Sequence, residues 1–142
     1  MIDVMAALID LLQSDTGVSA LVGDHVYGSA LPPSEAGRQP SKAVVLRYAG
    51  GGGAAPGSAD YLDLAEQRID VYSYGETMYE ADKVRRAVHS ALKYVDRVII
   101  GSVLIHRANW AAGPITFMDP DTDWPAMVET WNVMAAESAV TT

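Results

Sequence analysis

The sequence predicts an α+β fold: a mixed, mainly antiparallel sheet with two main helices packed on one face. Three observations carry this reading. Apolar residues recur at helical spacing in two separate stretches, and other stretches alternate in polarity or are rich in β-branched and aromatic residues. The elements then follow one another as helix, strand, strand, strand, helix, strand, strand, the order of a sheet whose helices pack on one side.

The first element is the clearest amphipathic pattern near the start. Met1, Val4, Met5, Leu8, Leu11 and Leu12 fall at three- and four-residue spacing, with Asp3, Asp10 and Gln13 elsewhere. Ser14-Asp15-Thr16-Gly17 stops this helix, and Asp15 or Thr16 can cap a further helical turn through Val22. His25-Val26-Tyr27-Gly28 predicts a brief strand. Pro32 and Pro33 carry no N–H donor, so residues 29–41 are expected to form a loop. Residues 42–48 read as a strand running into four glycines at 50–53, which predict a mobile loop over residues 49–60. Residues 63–74 supply the second strand of that hairpin, with Ala65, Gln67, Ile69, Val71 and Ser73 on one face and Leu64, Glu66, Arg68, Asp70 and Tyr72 on the other. Gly75 ends it, and Thr77 with Glu80 three residues later forms a capping box. The helix that follows carries Ala81, Val84, Ala87, Val88, Ala91, Leu92 and Val95 on one stripe. Two more strands are expected over 103–110 and 126–136, separated by a mobile loop over 111–125 that holds Gly, Pro and three Asp.

Length and composition narrow the function. A chain of 142 residues suits one domain. With no Cys there is no disulfide framework, thiolate zinc site or thiol nucleophile. No apolar run approaches the ~18 residues of a membrane span, so a soluble protein without membrane association is expected. The start lacks the basic region and cleavage site of a secretory signal, so a cytoplasmic origin is expected as well. A net charge of -8 argues against tight binding of DNA.

No motif in the chain specifies catalysis. The glycines at 50–53 lack the Lys-Ser or Lys-Thr that a phosphate-binding loop places after them. Asp119, Asp121 and Asp123 alternate like the first half of a calcium loop, but Trp124 and Thr130 stand where Gly and Glu are needed, so a solvated acidic turn is the plainer reading. His25, His89 and His106 show no zinc spacing, and no Gly-x-Ser-x-Gly elbow occurs. Neither catalytic residues nor a cofactor or metal site is therefore expected. The candidate interface residues are charged. Lys83, Arg86 and Lys93, with Arg85 and His89 nearby, give one helix face a basic character that suits either solvent or an acidic patch on a neighbouring subunit. The acidic candidates are Asp60, Asp63, Glu66, Asp119, Asp121 and Asp123. Trp110, Trp124 and Trp131 near the ends of the last strands read as core, with an aromatic interface anchor as the alternative.

Three segments together resemble the tail completion or tail terminator proteins of long-tailed bacteriophages and prophages. They are Ala7-Leu8-Ile9-Asp10-Leu11-Leu12 with Val18-Ser19-Ala20-Leu21-Val22-Gly23-Asp24-His25-Val26-Tyr27, then Gln67-Arg68-Ile69-Asp70-Val71-Tyr72-Ser73, then the helix from Tyr79-Glu80-Ala81-Asp82 through Val88-His89-Ser90-Ala91-Leu92. The sequence departs from that family at Ser41-Lys42-Ala43 and in the Gly-rich loop. The resemblance implies a non-enzymatic virion protein, assembled in the host cytoplasm. In that family a homo-oligomeric ring, a hexamer, caps the tail tube at its head-proximal end and stops tube polymerisation. Its implied partners are the tail tube protein and a head-tail connector protein, with DNA passing through the lumen unbound. The alternatives are a head-to-tail connector of the same particle and a small hydrolase using a divalent metal on Asp119, Asp121 and Asp123.

Overall fold

The computed structural model describes residues 3–36, 40–49, 53–54, 65–120 and 122–137. Asp3 caps the first helix, α1 (Val4–Ser14), its carboxylate accepting the Ala6 N–H at 3.0 Å. The stripe Val4, Ala7, Leu8 and Leu12 is buried. Asp15 serves two helices. Its backbone N–H donates to Leu11 and Leu12 carbonyls, while its side chain accepts the Val18 N–H at 3.0 Å and starts α2 (Thr16–Val22). The two axes are bent by 84° there. One extended residue therefore caps both ends and turns the chain between the two helices.

Strand β1 (Val26–Gly28) lies parallel to β2 (Ala43–Tyr48), Val26 opposite Val44. Between them the expected loop contains a short helical turn, α3 (Pro33–Ala36), opened by a proline where no N–H is needed. The expected hairpin forms: β2 runs antiparallel to β4 (Ala65–Tyr74), from Ala43 opposite Tyr74 to Tyr48 opposite Ile69. The two-residue β3 (Gly53–Ala54) pairs with the start of β4. The remainder of the 49–60 segment beyond Ala49, with Asp60 and Asp63, lies outside the described residues.

Helix α4 (Met78–Lys93) begins as its capping residues predict, the Thr77 hydroxyl accepting the Glu80 N–H at 3.2 Å. Ala81, Val84, Val88 and Leu92 are buried beneath it. Gly75 has to be glycine, because a Cβ there would collide with the backbone N of Ala81 in the first turn.

Two features differ from the sequence reading. Val98-Ile99-Ile100 belongs to an additional strand, β5 (Asp96–Ile100), which turns at Gly101 into β6. Strand β6 (Val103–Met118) does not end at Trp110; the expected loop over 111–125 is strand as far as Met118. Gly113 and Pro114 signalled a loop, yet β7 (Pro125–Glu137) lies opposite and continues the ladder. Register shifts at Trp110/Ala112 and Ala112/Ile115 absorb both residues as bulges. At Gly113 φ is 93°, and a Cβ would meet the Val128 carbonyl oxygen.

The sheet order is β1-β2-β4-β7-β6-β5, with β3 beside β4. All neighbours except β1 and β2 are antiparallel, so the mixed, mainly antiparallel α+β architecture holds. The main core joins α1, α2 and α4 to one sheet face through Leu8, Leu12, Val18, Val84, Leu92, Ile69 and Trp131. A smaller cluster of Ala43, Val45, Tyr74, Trp124 and Ala126 forms separately.

Candidate assembly surfaces

The basic residues expected on one helix face have divergent surroundings. Arg85 turns inward. Its Nε lies 2.7 Å from Asp82 and its Nη1 3.1 Å from Glu129, a carboxylate only 2% exposed. Burial opposes its charge, but the hydrogen bonds to Asp82 and Glu129 prevail and raise its pKa above the usual arginine value. Lys83 pairs with Glu80 at 3.5 Å and covers the Tyr79 ring. Arg86 is more exposed and reaches Asp82 at 3.2 Å, while Lys93 lies over Tyr94 with 5.6 Å between Nζ and ring centroid.

The cluster around Glu129 was not singled out from sequence. His89 Nδ1 sits 3.1 and 3.0 Å from the two Glu129 oxygens, so that nitrogen carries a proton and donates. Trp131 Nε1 adds a 3.3 Å bond. The His89 ring packs edge-on to both Trp110 and Trp131. A signal was present in the strand alternation: Glu129 shares a face with Trp131 and Val133, and an acid at an inward strand position needs a cation across the core. Its partners come from 40 and 44 residues earlier in the chain, a distance that local patterns do not report.

The acidic candidates likewise separate. Asp119 is 8% exposed and accepts the Tyr74 hydroxyl at 2.9 Å and the Thr122 N–H at 3.3 Å. Burial first, then the bond to Asp119 and its charge, push the Tyr74 hydroxyl well above the usual tyrosine range. Asp119 thus organises the β6–β7 turn. Asp123 is exposed at φ 60°, its N–H returning to the Asp119 carbonyl. Glu66 is half-buried on β4 opposite Met134. Asp121 lies outside the described residues. Trp124 and Trp131 are core, as the default reading has it, whereas Trp110 is 52% exposed.

Among the described residues no group of three His, Asp or Glu side chains converges as a metal site. Nor does any serine or threonine hydroxyl among them hydrogen-bond a histidine. No single helix among them is long and apolar enough to cross a membrane. What the surface does offer is an uncharged outer strand. Beyond Arg107, the β6 edge has no β5 residue opposite it, and residues 108–118 contain no charge. Trp110, Ile115 and Met118 on that strand are more than half exposed. Proteins usually blunt such edges with charge, and here only the bulges and Pro114 do so.

No family profile matches the sequence, and no curated protein matches it either. Among solved structures, the chain is similar to one in a structure described as the virion of a native gene transfer agent (GTA) particle. The two are 19% identical, with a TM-score of 0.68 and an alignment covering 93% of each chain. At that identity the likeness is one of fold, and it extends over nearly the whole chain.

Proposed function

We propose that this chain is a structural subunit of a phage-like virion. The observation that carries the reading is the fold shared, over 93% of both chains, with a component of the gene transfer agent virion. Within the particle, its place is the head-proximal end of the tail. There it forms a hexameric ring that caps the tail tube, ends tube polymerisation and presents the tail side of the head-tail junction. The resemblance of residues 1 to about 95 to tail terminator proteins supports this finer placement. Two physical features are in keeping with it. A closed ring joins unlike surfaces head to tail, and the uncharged β6 edge and the helical layer are unlike. A net charge of -8 lets DNA pass a lumen without adhering.

The test is deletion of the gene from its particle, followed by electron microscopy of the tails. Loss of the terminator should yield tails of uncontrolled length. Tails of normal length beside heads that leak DNA would move the chain to the head-side connector and overturn the tail-end placement. Labelled chain found on neither heads nor tails would overturn the virion reading altogether.

A further inference from the structure

Charge is segregated along this chain. Residues 1–37 contain five acidic residues and no Lys or Arg, whereas residues 83–107 contain six Lys or Arg and one acidic residue, Asp96. The fold brings Asp10 and Asp15 of the first group to one groove, together with Tyr94, whose ring Lys93 of the second group covers. An open groove of about 570 Å³ lies between α1 and the ends of α4 and β5, lined by Leu11, Ala91, Val95, Val98 and Ile100, with Asp10 and Asp15 on its α1 side. Across it stands Tyr94, 75% exposed, between Lys93 and Arg97. Elsewhere on β5 and β6, Ile99, Arg107 and Trp110 are exposed.

Arg97 and Arg107 form no ion pair with any described residue, and neither does Asp10. Asp24 is beside Gln13 of α1, 90% exposed and 3.8 Å from its neighbour His25. Exposed aromatic and aliphatic side chains framed by uncompensated charge are the makeup of an interface with a charged rim. A nucleic acid would meet the basic border and be repelled by the acidic one. A second copy of this chain brings both signs at once.

We propose that the groove and its borders are a docking surface for a second copy, the acidic α1–α2 border of one copy meeting the basic α4/β5/β6 edge of the other. The charge pattern also supplies selectivity: two molecules of net charge -8 repel in most orientations, and the orientation that pairs these borders is favoured. This deepens the ring reading and rests on it for the number of copies.

The experiment compares sedimentation of the full chain at low and high salt with that of two charge-reversed variants, Asp10→Lys/Asp24→Lys and Lys93→Glu/Arg97→Glu. Asp3 and Asp15 are left intact because they cap helices, and circular dichroism checks that each variant folds. Each variant alone should self-associate at least about tenfold more weakly than wild type. An equimolar mixture should recover assembly, because the reversed acid border of one variant then faces the reversed basic edge of the other. Rescue only to a dimer would support the docking surface while overturning the hexameric ring. Variants that assemble like wild type, or a mixture without rescue, would overturn the surface and leave the virion reading to the tail assay. A wild-type chain that stays monomeric at low salt and high concentration would also overturn the surface, and binding of a DNA duplex lost in Lys93→Glu/Arg97→Glu would reassign the basic edge to nucleic acid.

Discussion

Two of the described carboxylates are buried, and they are satisfied in different ways. Glu129 on β7 lies beneath α4 and takes a guanidinium, an imidazole and an indole N–H, from Arg85, His89 and Trp131. Asp119, at the end of β6, takes a phenol hydroxyl from Tyr74 and a backbone N–H within its own turn. The first arrangement ties a helix to the middle of the sheet across 44 residues of sequence. The second ties a hairpin turn to the end of the adjoining hairpin strand. A buried acid answered by a cation is the larger commitment, since removing either partner takes away the strongest counter-charge of a group held out of water. An acid answered by a neutral hydroxyl and a turn N–H is a local lock, and its loss is felt chiefly where the turn must close.

The largest effect that separates the two sites should come from Glu129→Ala. Arg85 would then keep only Asp82 as a counter-charge and His89 would lose its acceptor, both facing a cavity, and stability should fall by about 3–5 kcal/mol in urea unfolding followed by circular dichroism. Glu129→Gln, which keeps the shape, should recover part of that loss; an equal loss in both would mean that shape, not charge, dominates the site. Asp119→Ala should cost about 1–3 kcal/mol by stranding the buried Tyr74 hydroxyl. If it matched Glu129→Ala, the contrast between commitment and local lock would fail.

Tyr74→Phe sharpens the comparison through pH. Burial and Asp119 raise the folded-state pKa of Tyr74, so its stabilisation is complete below the unfolded value of about 10 and is lost as pH rises beyond it. The unfolded chain ionises there while the native one does not. Wild type should therefore exceed Tyr74→Phe by about 1–2 kcal/mol at pH 8, with the gap shrinking in unfolding curves above pH 10. A gap that stayed constant would mean that neither burial nor Asp119 raises the pKa of Tyr74 in the folded state. The smallest effect is remote from both sites: Thr77→Ala deletes the cap of α4 and should cost about 1 kcal/mol. Its thermal unfolding should shift without any change in the alkaline limb.

The sequence was legible wherever the determinant was local. Asp15 and Thr77 cap the helices that their positions announce. Ile69, Val71 and Ser73, read as sharing one strand face, are all buried. It was less legible where a distant strand overruled a local signal. Gly113 and Pro114 look like a loop from within their own segment, and they stay in β6 because β7 offers a ladder that bulges can meet. The basic helix face shows the same limit. Lys83, Arg85, Arg86 and Lys93 share a helix, but whether each meets solvent, a neighbour or the core depends on what the fold sets beside it.

By itself, then, the sequence determined the two main helices, the Asp15 and Thr77 caps, the segregation of charge and the apolar stripes, because each depends on local composition or on residues within a turn or two of one another. Tertiary structure alone decided that Glu129 receives Arg85 and His89, that Asp119 receives Tyr74, that Trp110 stays half in solvent while Trp124 and Trp131 do not, and that Asp10 and Asp15 line one groove with Tyr94 and Val98. Those outcomes depend on strand order and helix placement, which bring together residues dozens of positions apart, and the free energy that selects them comes from packing the whole core at once.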